Sequence, residues 1–157
     1  IWVRGPQVMQ GYWQNEAETA NVMHDGWFAT GDIAVMDATG FLRIVDRKKD
    51  MVLVSGFNVY PNEVEDVIAQ MAAVLEVAVV GTPDERTGEA VRAYVVPNPD
   101  HAGQLRAEDV VAHCKQHLAA YKRPSSVVLR DELPKSPIGK VLRKDLKAEV
   151  NQEFKRA

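Results

Sequence analysis

The pattern of apolar and polar positions first predicts a β-hairpin in the N-terminal third of the chain. Ile33 to Met36 and Phe41 to Val45 are apolar runs of strand length. They flank Asp37-Ala38-Thr39-Gly40, a turn sequence with glycine at the position that needs positive φ. The charged cluster Asp46 to Asp50 follows at once and interrupts the strand pattern. We therefore expect a domain boundary there, with residues 1–48 in one domain and residues 49–157 in another.

Beyond the cluster, strand and helix periodicities alternate. Two strands, Met51 to Val54 and Asn58 to Tyr60, are predicted on either side of Ser55-Gly56-Phe57. Pro61 opens a helix whose apolar residues recur at i, i+3, i+4 and i+7. The same criteria predict strands at Val77–Val80, Val91–Val96 and Val127–Leu129, a loop at Gly81–Gly88, and helices at Asn15–Met23, Ala107–Ala119 and from Val141 onward. This order predicts an α+β fold: a short mixed sheet flanked by helices, preceded by a β-hairpin-rich segment.

Composition narrows the function classes. With 19 Lys and Arg against 22 Asp and Glu, the net charge of -3 gives no general attraction to nucleic acid. The single cysteine, Cys114, excludes an internal disulfide, and no apolar run approaches the ~20 residues of a membrane span. We therefore expect a cytoplasmic protein. Because Ile1 is not methionine and lies in a strand-like run, we also expect the chain to begin inside a longer protein.

Three segments in a fixed order carry the chemistry: Gly26–Asp32, Asp46–Glu65 and Leu133–Arg143. The triplet Thr30-Gly31-Asp32 alone is weak evidence for a nucleotide site, because ion-pumping ATPases also contain it. An aspartate before a strand is also common as an ordinary turn residue. Asp46–Glu65 is much longer and more specific. Together the segments resemble the adenylate-forming superfamily of acyl-CoA synthetases, adenylation domains and luciferases, and are most similar to bacterial long-chain fatty-acid CoA ligases.

The resemblance implies roles for residues in the first two segments. Asp32 would accept hydrogen bonds from the ribose hydroxyls of ATP, and Arg47 would contact the nucleotide. Lys49 would be the hinge between two domain orientations. Ser55, Gly56 and Phe57 would form a wall of the pantetheine tunnel, where a glycine lets the backbone approach a thin ligand.

The third segment implies the catalytic residue. Lys140 would stabilise the negative charge that gathers as a carboxylate meets the α-phosphate of ATP. When Lys140 is taken alone, the alternative to a catalytic role is an ordinary solvated lysine in a Pro/Gly loop. A Walker loop is excluded, because Pro134 stands where its first glycine belongs and no Ser or Thr follows Lys140.

The implied activity is that of an ATP-dependent acid–CoA ligase whose C-terminal domain rotates between two half-reactions. Its substrates would be a fatty acid, ATP and CoA. We expect Mg²⁺ to bind through the N-terminal domain, no metal site in this chain, and no activity of the chain alone. A homodimer and peripheral contact with the inner face of the membrane are left open.

Two other functions stay open at this point. One is a related ligase for medium-chain or aryl acids, or a peptide-synthetase adenylation domain. Luciferase and aryl-CoA ligases carry a lysine where this chain has Leu53, which favours a fatty-acyl relative. The other is a non-catalytic nucleotide-binding module, against which Asp32, Arg47 and Lys140 argue.

The remaining chemistry-bearing residues are interpreted as structural. The tryptophans Trp2, Trp13 and Trp27 are expected to pack, and Cys114 lies on the apolar face of its helix. The basic run Tyr121 to Pro124 either contacts the CoA nucleotide or is a solvated helix end. The histidines lack partners at metal-ligand spacing and are expected on the surface or on helix faces: His24, His101, His113 and His117.

Overall fold

A computed structural model describes residues 1–101 and 103–156. The chain divides into two compact units, the first of residues 1–49 and the second beginning at Asp50. The first unit contains one short helix and two small antiparallel sheets. Its elements are β1 (Trp2–Val3), α1 (Glu16–Val22), β2 (Met23–His24), β3 (Trp27–Ala29), β4 (Asp32–Met36) and β5 (Leu42–Arg47).

The helix and hairpin predicted for this unit are confirmed, except that β5 continues through Asp46 and Arg47, which were expected to interrupt the strand pattern. The Asn15 side chain accepts a hydrogen bond from the backbone N–H of Glu18 at 3.1 Å and so caps α1. In the β4–β5 turn, the Asp37 carboxylate accepts from the backbone N–H groups of Thr39 (2.8 Å) and Phe41 (3.1 Å). The hydrogen bond from the Thr39 side chain, and then those from the backbone, lower the pKa of Asp37. Gly40 has a φ of +89°, as its turn position requires.

The expectation that the three tryptophans pack is wrong for Trp13, whereas Trp2 and Trp27 make ring contacts on the surface. Trp13 is 89% exposed, and Trp2 and Trp27 are also on the surface of the described chain. Trp2 stacks on His24 with ring centroids 5.1 Å apart, and the Arg4 guanidinium lies over Trp27. These rings make surface contacts because the small sheet β1-β3-β2 encloses no core of its own.

In the described residues, the second unit contains one five-stranded mixed sheet, three α-helices and two short 3-10 helices, Pro99–His101 and Ala120–Lys122. The long strand β9 is central: it pairs antiparallel with β8, parallel with β10, and with β6 through Val54 opposite Gly88. This confirms the predicted α+β class with a mixed sheet. The elements are β6 (Val52–Val54), β7 (Phe57–Val59), α2 (Pro61–Ile68), β8 (Val74–Asp84), β9 (Gly88–Pro97), α3 (Ala107–His117), β10 (Ser126–Leu129) and α4 (Arg143–Phe154).

Alternation along β9 builds a core on each face of the sheet. Val91, Ala93 and Val95 face α2 and α3 in the larger core, whereas Tyr94 and Val96 belong to the core formed with α4. Helix α2 contributes Val64 and Ile68 to the larger core, α3 contributes Val110 and Cys114, and α4 contributes Leu146 and Val150 to the smaller one. The sheet is therefore covered by helices on both faces.

The predicted loop at Gly81–Gly88 is wrong, because β8 and β9 continue as one long hairpin that turns at residues 85–87. Gly81 lies within a strand. A Cβ added there would come within 3.2 Å of the Val52 side chain, so this glycine permits close packing. The turn is held by the Asp84 carboxylate, which accepts from the N–H groups of Arg86 (3.0 Å) and Thr87 (2.8 Å).

Three predicted boundaries are also corrected. Phe57 is the first residue of β7, opposite Val54, so the β6–β7 turn is Ser55-Gly56. Helix α3 ends at His117, two residues early. Helix α4 begins at Arg143, since Val141 forms an isolated β-bridge with Lys135.

Candidate functional site

The structure brings Asp32 and Arg47 together at the open end of the β4–β5 hairpin. They are paired across the two strands, and Arg47 Nε lies 3.3 Å from Asp32 Oδ1. The Asp32 side chain is 22% exposed and that of Arg47 is 55% exposed. An acidic acceptor beside a cation at an accessible edge has the chemistry to bind a diol next to a phosphate. The roles of both residues stay predictions.

Local backbone contacts hold this pair in place. Gly31 has a φ of +75°, and its carbonyl accepts a hydrogen bond from Lys48 N–H at 2.8 Å. Asp32 N–H donates to Thr30 Oγ1 at 3.1 Å. Asp46 is only 2% exposed, and its carboxylate accepts from the backbone N–H of Arg47 at 2.7 Å. Asp46 lies within the segment Asp46–Glu65, but no role was predicted for it, because its burial depends on the fold.

The predicted hinge residue Lys49 is the last residue of the first unit, and Asp50 begins the second. Both lie in a turn between β5 and β6. Hinge residues are typically loop or element-terminal positions that absorb changes in φ and ψ. The position is therefore compatible with a hinge, which remains a prediction.

The predicted tunnel-wall residues lie at the β6–β7 turn. Ser55 (φ +50°) and Gly56 (φ +84°) both have positive φ, as in a type I′ hairpin turn. Phe57 is 57% exposed and stacks on Tyr121, with ring centroids 4.8 Å apart. Lys122 forms an ion pair with Glu63 at 2.5 Å. The basic run after α3 thus lies beside the predicted tunnel wall, although no sequence pattern connects them.

Lys140 lies at the end of a tight loop between β10 and α4. Ser136 N–H donates to the Lys140 carbonyl at 2.8 Å, and Lys140 N–H donates to Ser136 Oγ at 3.1 Å. Gly139, with a φ of +79°, donates to the Ser136 carbonyl at 2.8 Å. Leu133, 3% exposed, anchors the loop in the core against α4. The loop is well fixed at its base and presents an exposed lysine.

Other candidate chemistry is absent or structural. Cys114 is fully buried, and burial raises the pKa of its thiol to about 11, which confirms it as a core residue. His113 and His117 face each other with rings 4.3 Å apart on α3. Within residues 1–101 and 103–156, no group of three or more His, Cys, Asp or Glu side chains is placed to hold a metal ion. None of the helices in that part of the chain is long and apolar enough to cross a membrane.

Comparison with known proteins identifies the family. Residues 63–140 match the model of the AMP-binding enzyme C-terminal domain. The chain is 60% identical over 149 residues to a long-chain-fatty-acid–CoA ligase of Yersinia pestis, covering 95% of this chain and 26% of that protein. It is 57% identical over 150 residues to the ligase of the same name from Salmonella typhimurium, covering 96% of this chain and 26% of that protein.

A solved structure agrees with this assignment. The ATP-bound MatB of Rhodopseudomonas palustris superposes with a TM-score of 0.85 at 37% identity, over 93% of this chain and 29% of that one. The chain thus spans about a quarter of the length of the curated relatives it matches. Residues 63–140 thus belong to the AMP-binding enzyme C-terminal domain family, and the structural neighbours of the chain are adenylate-forming enzymes.

Proposed function

We propose that this chain is the C-terminal part of a long-chain fatty-acid–CoA ligase. The observation that carries the proposal is the 60% identity with a protein of that name over 95% of the chain. In the reaction, a fatty-acid carboxylate oxygen attacks the α-phosphorus of ATP and pyrophosphate leaves. The CoA thiol then attacks the acyl carbon of the acyl-adenylate, and AMP leaves.

The first half-reaction would use Lys140, Asp32 and Arg47. The tight loop that presents Lys140 suits a group that must be held near two anions, because a preorganised charge needs little reorganisation in the transition state. The ion pair of Asp32 with Arg47 supports nucleotide binding, since the arginine orients the carboxylate that would accept from the ribose hydroxyls.

The second half-reaction would use the β6–β7 turn. Gly56 offers backbone without a side chain, and apart from its chain neighbours no described residue has an atom within 4 Å of the position that its Cβ would occupy. A thin pantetheine chain could pass close to such a position. The domain that begins near Asp50 would rotate about Lys49 to bring this turn to the acyl-adenylate.

The metal and the cellular setting remain predictions. Mg²⁺ would be bound by the N-terminal domain of the full-length protein. Cytoplasmic location, peripheral membrane contact and a homodimer also stay predictions.

The test is the assay of the full-length protein with ATP, CoA and acids of different length. We expect formation of acyl-CoA, AMP and pyrophosphate in equal amounts, with the highest kcat/KM for long-chain fatty acids. A preference for an aryl or medium-chain acid would support the related ligases instead. Binding of ATP without turnover of any acid would support a non-catalytic module.

A further inference from the structure

Arg143, the first residue of α4, makes a forked contact with α2. Its Nε lies 3.2 Å from Glu65 Oε1 and its Nη2 lies 2.6 Å from Glu65 Oε2. The same Nη2 donates to Asn62 Oδ1 at 2.6 Å. Glu65 also accepts from the backbone N–H of Val79 on β8 at 2.7 Å. A bidentate arginine–carboxylate pair fixes direction as well as distance, so the start of α4 is locked onto α2 and β8.

Helix α4 is also tied to Asp50. Lys147 Nζ lies 3.1 Å from Asp50 Oδ1, and Arg143 Nη1 lies 4.0 Å from Asp50 Oδ2. The two basic residues are one helical turn apart and so lie on the same face of α4. The residue that follows the predicted hinge is therefore bound to the helix that follows the Lys140 loop.

These charges are largely shielded from water. The side chains of Asp50, Glu65 and Arg143 are 14%, 17% and 22% exposed. Such pairs are screened less by salt than surface pairs, and removal of one partner leaves the other poorly solvated. The other ion pairs of α4, Arg92 with Glu153 and Arg130 with Glu149, lie further along the helix.

We propose that Arg143 is a positioning residue for Lys140. Arg143 holds the end of the Lys140 loop against α2 and Asp50. At that end of the loop, Leu142 N–H donates to the Pro134 carbonyl at 2.8 Å. The Lys140 loop and the segment after the hinge then move as one body when the domain rotates. This inference rests on the proposed function, in which Lys140 acts during adenylation.

The experiment uses the full-length protein with Arg143→Gln, Arg143→Lys and the control Glu149→Gln, which removes a different ion pair of α4. We measure acid-dependent ATP/pyrophosphate exchange, thioester formation from supplied acyl-adenylate, and amide hydrogen exchange. We expect Arg143→Gln to lower kcat for adenylation about 10²-fold, as small misplacements of catalytic groups do, with KM for ATP unchanged. Thioester formation is expected to stay near the unmodified rate.

Hydrogen exchange separates positioning from general support of the fold. In Arg143→Gln, the amides of Ser136, Gly139 and Lys140 are expected to exchange faster while those of β8 and β9 do not change. Arg143→Lys keeps the charge but loses the fork, so its rate is expected to lie between those of Gln and the unmodified protein. Glu149→Gln is expected to leave the loop and both half-reactions unchanged.

Two results would overturn the proposal. One is an equal loss of both half-reactions in Arg143→Gln with faster exchange throughout α2, β8 and α4, which would make Arg143 a general support of the fold. The other is an unchanged adenylation rate and unchanged loop exchange in both Arg143 variants. If Lys140→Ala instead keeps full adenylation activity, the proposed role of Lys140 fails, while the hydrogen exchange still reports whether Arg143 fixes the loop.

Discussion

Replacing Gly56 with alanine separates a stability effect from an effect on the thioester step. Gly56 has a φ of +84°, and apart from its chain neighbours an added Cβ would meet no atom of the described residues within 4 Å. The substitution therefore costs only the strain of a left-handed backbone, about 1–2 kcal/mol. With an m-value of about 2 kcal/mol/M, the urea midpoint of this chain is expected to fall by about 0.5–1 M.

Gly103→Ala is the matched control. Gly103 lies in the same unit, has a φ of +77°, and also has open space at its Cβ position. Both variants are expected to lose similar stability. Only Gly56→Ala is expected to lose thioester formation in the full-length protein, because its methyl group enters the proposed path of pantetheine.

The half-reactions of the full-length variants provide the assay. Single-turnover transfer from acyl-adenylate to CoA is expected to fall about 10²-fold in Gly56→Ala, with adenylation retained. Equal thioester rates in Gly56→Ala and Gly103→Ala, at equal loss of stability, would refute the assignment of this turn to the tunnel wall.

Three further predictions follow from single residues. Asp32→Ala is expected to weaken ATP binding by about 1–3 kcal/mol, or roughly 5- to 150-fold by equilibrium dialysis, because unpaired polar groups are costly; unchanged affinity would make Asp32 a turn residue. Lys49→Pro fixes φ and restricts Lys48, so it is expected to spare adenylation and slow thioester formation, whereas proportional loss of both steps in a folded protein would place the hinge elsewhere. The buried thiol of Cys114, with its pKa raised to about 11, is expected to resist alkylation at neutral pH. Because this pKa exceeds the ordinary thiol value of 9.0, the stability gained from the buried neutral thiol is present below about pH 9 and is lost as the pH rises towards 11. Fast alkylation of Cys114 in the folded chain would contradict its burial.

The features that sequence predicted well depend on local chemistry. Helix α2 follows from Pro61 and the helical spacing of Val64 and Ile68, both fully buried. The β4–β5 turn follows from Asp37, whose carboxylate accepts hydrogen bonds within the turn, and from Gly40, which supplies the positive φ. The relevant partners lie within a few residues, so the sequence pattern contains them.

The features that sequence missed depend on distant partners. Gly81 was interpreted as part of a loop, although its role is set by Val52 on a neighbouring strand. Arg143 and Glu65 are 78 residues apart, and Lys147 and Asp50 are 97 residues apart, so no local pattern predicts these pairs. The motifs supply the predicted site residues, whereas the contacts that hold these residues in place required the fold.

The most direct test of the central claim compares the two half-reactions of the full-length protein with and without the Lys140 ammonium. Lys140→Ala is expected to lower acid-dependent ATP/pyrophosphate exchange about 10²–10³-fold, the usual effect of removing one preorganised electrostatic group. Transfer from supplied acyl-adenylate to CoA is expected to change little. Equal losses in both half-reactions, or full exchange activity in Lys140→Ala, would contradict the assignment of this chain's lysine loop to the adenylation step.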